Sequence, residues 1–197
     1  MRIVFAVVLA AFLGGCALLF GTDREPRQQP LPQPRTVWIV GAGGQAVGQA
    51  TFTQARTGVL IRLEFAEGAL APGWHGVHLH QAGVCGDFAA GFTAAGAHIG
   101  ANARVRHGLM HQAGPEAGDL PNVFATASGS FGAEFVAPNV TMGGALIPRT
   151  ALLPERQPLL DLNGTALIVH AQPDDHTTQP IGGAGARVAC AALTSTP

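Results

Sequence analysis

The chain has 197 residues, a formal net charge of −1 and 12% charged residues. This length allows one domain with a sizeable core and is short for two. The near-neutral charge excludes the strongly basic surface of typical nucleic-acid-binding proteins, so we predict no nucleic-acid partner. The 27 glycines, 14 prolines and 6% aromatic residues favour a loop-rich β protein over a helix bundle.

The N-terminal segment has the features of an export signal. Arg2 precedes an uncharged, mostly apolar run over residues 3–21 that contains the string L-G-G-C ending at Cys16. Small residues directly before a cysteine resemble a bacterial lipobox, in which the signal is cleaved and the cysteine receives lipid. We predict a lipoprotein signal peptide over 1–15 and lipidation at Cys16; an ordinary secretory signal is the alternative. The protein is then exported and lipid-anchored on the periplasmic side of the envelope, and Ala17 favours the outer membrane.

A tether is predicted after this cysteine, over residues 16–35. The string Q-Q-P-L-P-Q-P at 28–34 has three prolines in five positions and little apolar surface to bury. Such a composition favours extended polyproline II structure. The folded domain is therefore predicted to span residues 36–197.

Short segments with period-two alternation recur within this domain. In residues 59–65, for example, Ile61 and Leu63 face one way while Arg62 and Glu64 face the other. Eight segments are predicted to be strands: residues 37–40, 46–53, 59–65, 75–80, 123–127, 131–135, 166–171 and 187–191. They predict an all-β fold, an eight-stranded antiparallel sandwich or barrel. Two long connections, 81–121 and 172–186, are rich in metal-capable side chains, which indicates function.

The string H-G-V-H-L-H at 75–80 predicts a metal-binding strand. His78 and His80 are two residues apart, so on a strand their imidazoles point to the same face, whereas His75 points to the other. Further candidate ligands are His98, His107, His111, Glu116, Asp119 and His170. Four imidazole nitrogens from this set suit Cu(II), which prefers tetragonal geometry.

Beyond Cys16, the chain contains two cysteines, Cys85 and Cys190. In an oxidising compartment such a pair usually forms a disulfide, and two free thiols are the alternative. The closed loop would span about 105 residues and contribute roughly 4–5 kcal/mol in the chain-entropy account.

Six strings, in one order along the chain, resemble the bacterial copper–zinc superoxide dismutases. They are G-W-H-G-V-H-L-H, A-G-A-H, H-G-L, G-P-E-A-G-D-L-P-N, A-L-I-V-H-A and G-G-A-G-A-R-V-A-C, within residues 38–193. The resemblance implies a Greek-key barrel with its site on two long loops. It also implies an oxidoreductase that uses copper and zinc to convert two superoxide anions into dioxygen and hydrogen peroxide.

The resemblance also implies roles for individual residues. The implied copper ligands are His78, His80, His170 and His98, whose ring bridges to zinc. The implied zinc ligands are His98, His107 and Asp119. Asp174 matches the carboxylate that orients one ligand on each metal, and Arg187 matches the arginine that guides superoxide. As catalytic residues we thus expect Arg187 and His98, the latter in proton transfer. Cys85 and Cys190 match the family disulfide, and His75 matches a structural histidine.

One position departs from the family pattern, because Glu116 stands where the family has a zinc-binding histidine. A glutamate oxygen is an accepted zinc ligand, which would give the site one more negative charge. Alternatively, His111 supplies the missing nitrogen, or the enzyme binds copper alone. A different alternative is a lipid-anchored copper-binding or copper-buffering protein without fast turnover. The sequence makes no prediction of oligomeric state.

Overall fold

The computed structural model describes residues 31–143 and 156–195, and most of them lie in or between short strands. The strands are β1 Arg35–Gly41, β2 Ala46–Ala55, β3 Gly58–Phe65, β4 Gly73–His75, β5 Val77–His80, β6 Val123–Ala125, β7 Phe131–Ala137, β8 Val140–Thr141, β9 Gln157–Pro158, β10 Thr165–His170 and β11 Arg187–Leu193. Two short 3₁₀ turns, Phe88–Ala90 and Thr93–Ala95, lie in the connection after β5. Within the described ranges, no helix has the length and apolar character needed to cross a membrane.

Seven strands form one antiparallel sheet in the order β5-β10-β11-β1-β2-β3-β7. The turn at 126–130 connects β6 to β7, the outer strand of this sheet, and β6 in turn pairs with β4. Because β4 leads directly into β5, these two count as one interrupted strand, and the resulting circuit of eight strands closes around the core. The period-two pattern holds on β3, where Ile61 and Leu63 are fully buried and Arg62 and Glu64 are exposed. The predicted all-β fold is confirmed.

The structure differs from the prediction at residues 75–80, where one strand becomes two. Before Gly76 the chain pairs with β6 as strand β4, and after Gly76 it pairs with β10 as strand β5. The Gly76 N–H donates to Gln172 O at 2.9 Å, and its carbonyl accepts from His170 N at 2.9 Å. A Cβ here would lie 3.0 Å from Ala184 Cβ and 3.3 Å from Asp174 Cβ. The close approach of the second long connection therefore explains the glycine and the break.

The free edge of β5 is covered by its own long connection. Leu79 donates its N–H to Gly118 O at 2.9 Å, and its carbonyl accepts from Ile99 N at 2.8 Å. These bonds place His98 opposite His80 and Asp119 opposite His78 as isolated bridges. Main-chain pairing thus delivers two loop side chains to the histidine strand.

A disulfide joins Cys85 to Cys190, with 5.6 Å between the two Cα atoms, as predicted. It ties the connection after β5 to β11. A small apolar cluster of Phe92, Ala95 and Ile168 packs around the buried Cys190. The predicted signal peptide, Cys16 and most of the predicted tether lie outside the described residues.

Candidate metal centre

Four histidines meet at one end of the barrel, where β5 and β10 lie side by side. They are His78 and His80 on β5, His170 at the end of β10, and His98 in the connection after β5. All four are at most 3% exposed, and one ring nitrogen from each lies within 4.8 Å of the others. The structure thus brings together the four residues predicted to bind copper.

The nitrogens that face one another have no hydrogen-bond partner among the described residues. They are Nδ1 of His78 and Nε2 of His80, His98 and His170. Buried polar atoms are normally paired, because an unpaired one keeps its full desolvation cost. Four such atoms around one point are explained if they bind a common ion. The set fits copper, since imidazole suits this metal and Cu(II) accepts four nitrogens in a tetragonal arrangement.

Hydrogen bonds on the opposite side fix two of these rings. His80 Nδ1–H donates to Gly96 O at 2.8 Å, and His170 Nδ1–H donates to Gly185 O at 3.1 Å. An N–H held on one side leaves the lone pair on the other nitrogen. Both rings therefore present a metal-binding nitrogen toward the cluster, with the tautomer set by a main-chain carbonyl.

Burial keeps three of the imidazoles neutral. Desolvation lowers the pKa of His78 to about 4, that of His170 to about 3 and that of His80 to about 2. The neutral ring is the form that binds a metal, because a protonated nitrogen has no lone pair to donate. At neutral pH these three side chains are therefore ready to act as ligands.

A second cluster lies beside the first and shares His98. Its Nδ1 is 2.8 Å from Glu116 Oε2 and 3.3 Å from Asp119 Oδ1. His107 Nδ1 lies 2.8 Å from the same Asp119 oxygen and 3.9 Å from Glu116 Oε2. Tetrahedral zinc with ligands at about 2.0–2.1 Å separates its ligand atoms by roughly 3.3–3.4 Å. The four distances bracket this value, whereas the group whose atoms all lie within 4.8 Å of one another contains His78 in place of Glu116.

Glu116 is therefore better placed than two other candidates for the fourth position. His78 also lies within 4.8 Å of the His98, His107 and Asp119 atoms. However, its Nε2–H is hydrogen-bonded to Asp174 and its Nδ1 faces the first cluster. His111 lies in a partly exposed turn of the same loop, where its Nδ1 accepts the N–H of Ala113 at 3.0 Å.

The second cluster strongly favours positive charge. Burial lowers the pKa of His107, but the carboxylates of Asp119 and Asp174 outweigh it and raise the pKa to about 10. Burial also opposes ionisation of the two aspartates, yet their hydrogen bonds to histidine hold both pKa values well below the usual range. Likewise the pKa of His98 is raised, because Asp119 and Glu116 outweigh its burial. Such a set of carboxylates and imidazoles suits a divalent cation.

Asp174 connects the two clusters. Its Oδ2 accepts from His78 Nε2 at 2.9 Å, and its Oδ1 accepts from His107 Nε2 at 3.1 Å. The carboxylate is buried, and its main chain is held by Asn122 through two hydrogen bonds of 2.8 and 2.9 Å. One side chain thus orients a ring in each cluster, which is the geometry of an outer-shell carboxylate. Asn122 was not predicted as a site residue from the sequence, although it ends one of the quoted strings.

Arg187 lies against the histidine cluster at the start of β11, opposite His170 in the β10–β11 ladder. Its Nη1–H donates to Phe92 O at 2.6 Å, and its Nη2–H donates to Gly96 O at 2.7 Å. The same Gly96 carbonyl accepts from His80. The guanidinium is half-buried, so a fixed positive charge stands beside the rings.

His75 points away from both clusters, as its parity predicts. Its Nδ1 is 2.7 Å from His170 O, and its Nε2 is 2.8 Å from Ala71 O. It therefore braces the main chain at His170 without contributing a nitrogen to either cluster.

An eight-stranded β barrel that carries a four-imidazole cluster beside a histidine–carboxylate cluster is the architecture of a protein with two adjacent metal sites. The family model described as Copper/zinc superoxide dismutase (SODC) matches residues 46–193. The chain belongs to the copper/zinc superoxide dismutase family. This confirms the prediction of a superoxide dismutase, an oxidoreductase with copper and zinc as its metals.

Named relatives and solved structures agree with this assignment. A superoxide dismutase [Cu-Zn] of Caulobacter vibrioides is 46% identical over 156 residues, which is 79% of this chain and 83% of the relative. That of Photobacterium leiognathi is 33% identical over 185 residues, 90% of this chain and 94% of the relative. A SOD-like protein from Bacillus subtilis superposes with a TM-score of 0.66 at 30% identity, covering 80% of this chain and 97% of that structure. The Cu/Zn superoxide dismutase from Brucella abortus superposes with a TM-score of 0.57 at 27% identity, covering 82% of this chain and 99% of that structure.

Proposed function

We propose that this chain dismutates superoxide at a copper ion held by the four-histidine cluster. The proposed copper ligands are His78 Nδ1 and the Nε2 atoms of His80, His98 and His170. The observation that supports them is the set of four buried imidazole nitrogens without a hydrogen-bond partner among the described residues. When bound, copper supplies one-electron chemistry, oxidising one superoxide to dioxygen and reducing a second to hydrogen peroxide.

The protein's part begins with attraction of the anion. Superoxide is small and negatively charged, so a fixed cation beside the copper ligands raises its local concentration. Arg187 is the proposed guide, because two carbonyls hold its guanidinium next to His80 and His170. The other N–H groups of a guanidinium, which has five, are left to meet an anion. A copper-storage protein would need neither this arginine nor Asp174, which argues against a buffering role.

Proton delivery is assigned to His98. Its two nitrogens face different partners: Nε2 points to the copper ligands and Nδ1 to Asp119 and Glu116. When Nε2 is free of copper, it can instead carry a proton, which then lies where a reduced oxygen species needs one. The neighbouring carboxylates favour the protonated ring by stabilising its positive charge.

We also propose that Glu116 completes the zinc site with His98, His107 and Asp119. It is buried at 7% exposure and lies within 2.8–3.9 Å of both histidine nitrogens. Cobalt(II) reports on this site through its visible spectrum, which is intense only for tetrahedral coordination. We expect Glu116→His to keep a tetrahedral spectrum and one bound zinc per chain. Glu116→Gln should weaken zinc binding about tenfold to a hundredfold in chelator competition, as loss of a ligating charge typically does. Equal zinc affinity in Glu116→Gln and the parent protein would rule out ligation.

The copper assignment is tested by electron paramagnetic resonance together with superoxide decay. The copper-loaded protein should show hyperfine coupling to four nitrogens and decay superoxide rapidly. His170→Ala should reduce the coupling to three nitrogens and slow the decay, whereas His111→Ala serves as the matched histidine control and should change neither. A four-nitrogen spectrum that survives in His170→Ala would refute the ligand set.

For localisation, we propose export and a lipid anchor at Cys16 on the periplasmic side of the outer membrane. Support comes from the L-G-G-C string and from the Cys85–Cys190 disulfide, a bond typical of exported proteins. Metabolic labelling with a fatty-acid probe should label the parent protein and not Cys16→Ser. An unlabelled mature protein that begins beyond residue 16 would refute the anchor.

A further inference from the structure

The position of Arg187 depends on one short loop segment. Both carbonyls that accept from its guanidinium, Phe92 O and Gly96 O, belong to the segment 92–96. A guanidinium on a flexible stem is only as well placed as the groups that hold it. Whatever fixes this segment therefore also fixes the proposed guide for superoxide.

Asp87 is the side chain that fastens the segment. Its Oδ2 accepts the N–H of Ala94 at 2.8 Å and the hydroxyl of Thr93 at 3.1 Å, both between the two carbonyls that hold Arg187. Its own carbonyl accepts from Phe92 N at 3.3 Å. Hydrogen bonds to an ionised carboxylate are stronger than those between neutral groups. Asp87 thus closes the turn from which both carbonyls point.

The segment needs such support, because Phe92 has an unusual backbone. Its φ is +55°, a left-handed conformation that non-glycine residues rarely adopt. Such a conformation persists only where the surroundings over-determine it. The fully buried Phe92 ring holds one side of the residue and the Asp87 hydrogen bonds hold the other. The result is a carbonyl aimed at Arg187.

Asp87 is partly buried, and its charge acts on the arginine. The second carboxylate oxygen, Oδ1, is shielded from solvent and finds no hydrogen-bond partner among the described residues. Burial lowers the pKa of Arg187, and the negative charge of Asp87 counteracts this effect. The carboxylate is therefore close enough for its charge to act on the guanidinium.

We propose that Asp87 is a positioning residue for superoxide capture, which holds the 92–96 segment so that Phe92 and Gly96 keep Arg187 at the copper site. This inference rests on the proposed role of Arg187. Asp87 touches neither substrate nor metal and acts through the arginine. No sequence motif links the two segments that Asp87 connects, so the sequence alone does not predict this role.

The test combines two substitutions at Asp87 with anion binding. Azide titration of the copper-loaded protein, followed by visible absorption, gives an anion affinity that is independent of turnover. Asp87→Ala removes both side-chain hydrogen bonds and should weaken azide binding and slow superoxide decay about fivefold, below the roughly hundredfold that a displacement of about 1 Å can cost. Asp87→Asn keeps an acceptor oxygen for Ala94 and Thr93 and should stay within about twofold of the parent.

A double-mutant cycle distinguishes a specific effect on the position of Arg187 from a general destabilisation of the loop. In an Arg187→Ala background, Asp87→Ala should have no further effect on azide affinity, because its route of action is gone. Asp161→Ala is the matched control, since Asp161 Oδ1 also accepts a turn N–H, that of Asn163, at 2.9 Å. It should leave the azide affinity unchanged.

Each contrary result has a distinct meaning. If Arg187→Ala alone leaves azide affinity and superoxide decay unchanged, the proposed role of the arginine fails. If Arg187→Ala matters but Asp87→Ala does not, or has the same effect in both backgrounds, the inference about Asp87 is overturned. An Asp87→Asn variant as impaired as Asp87→Ala would also overturn it, since charge rather than hydrogen bonding would then be responsible.

Discussion

Acidification should destabilise the metal-free protein, because three buried imidazoles resist protonation. In the folded chain the pKa values of His78, His170 and His80 are lowered to about 4, 3 and 2 by burial. In the unfolded chain each has its ordinary value of about 6.5. Below that pH the unfolded state binds protons that the folded state does not. The free energy of unfolding therefore falls as the pH falls from 6.5 toward the folded values.

The size of the effect follows from the same pKa values. Between pH 6.5 and pH 5, each of the three imidazoles costs between about 1 and 2 kcal/mol by proton linkage, roughly 5 kcal/mol together. His107 has the opposite sign, because its pKa is raised to about 10 and it is already protonated in the folded chain. His107 and His98, whose pKa is also raised, each return less than about 1 kcal/mol over this interval. The net loss is about 4 kcal/mol, a large share of the 5–15 kcal/mol typical of a domain.

Urea unfolding of the metal-free protein at pH 6.5 and pH 5.0, followed by circular dichroism, measures this loss. With a slope of about 2 kcal/mol per molar urea, the midpoint should fall by roughly 2 M at the lower pH. His170→Gln should remove about a third of the pH dependence. An unchanged or higher midpoint at pH 5.0 would show that these imidazoles are not held neutral, and the ligand geometry built on them would be wrong.

Two further perturbations follow from the packing. In Gly182→Ala the new Cβ would overlap Asp174 Oδ1 and lie 3.0 Å from His107 Nε2. This substitution should weaken the binding of both metals about tenfold to a hundredfold in chelator competition. Gly183→Ala, at a similar positive φ but with open space around it, should retain normal affinity, and equal losses in the two would contradict the reasoning. Serine at both disulfide positions should lower the free energy of unfolding by roughly 4–5 kcal/mol, as expected for a loop of this length; an unchanged urea midpoint would contradict that account.

The sequence was sufficient where local periodicity decides the structure. The two-residue spacing of His78 and His80 predicts that their rings share a face, and their rings do so in the structure. The parity of His75 predicts that it points away, and it contacts only main-chain carbonyls. The strand bounds were less predictable at residues 75–80, because the break at Gly76 depends on a loop about a hundred residues later in the chain.

The sequence was insufficient where contacts between distant segments decide. It left Glu116 and His111 as alternatives for the zinc site, since both lie in the same loop at plausible spacings. The choice depends on a turn in which the N–H of Glu116 donates to Asp119 Oδ2 at 2.9 Å, which directs the glutamate side chain inward. His111 lies in the preceding turn, where its Nδ1 accepts the N–H of Ala113. No periodicity encodes this arrangement.

The two metal sites are coupled by construction, because two side chains belong to both. His98 presents Nε2 to the copper ligands and Nδ1 to the zinc ligands, while Asp174 holds the ring of His78 on one side and that of His107 on the other. A cation that fixes His98 and His107 therefore pre-orients two of the four copper ligands. It acts on His98 directly, and it acts on His78 through Asp174, which contacts both His107 and His78. Linkage requires the effect to be reciprocal, so copper must raise the affinity for zinc by the same factor. In the proposed zinc site Glu116 adds a negative charge to only one of the two sites. It should therefore strengthen the preference of that site for a divalent cation and, through the shared residues, stabilise the neighbouring copper site.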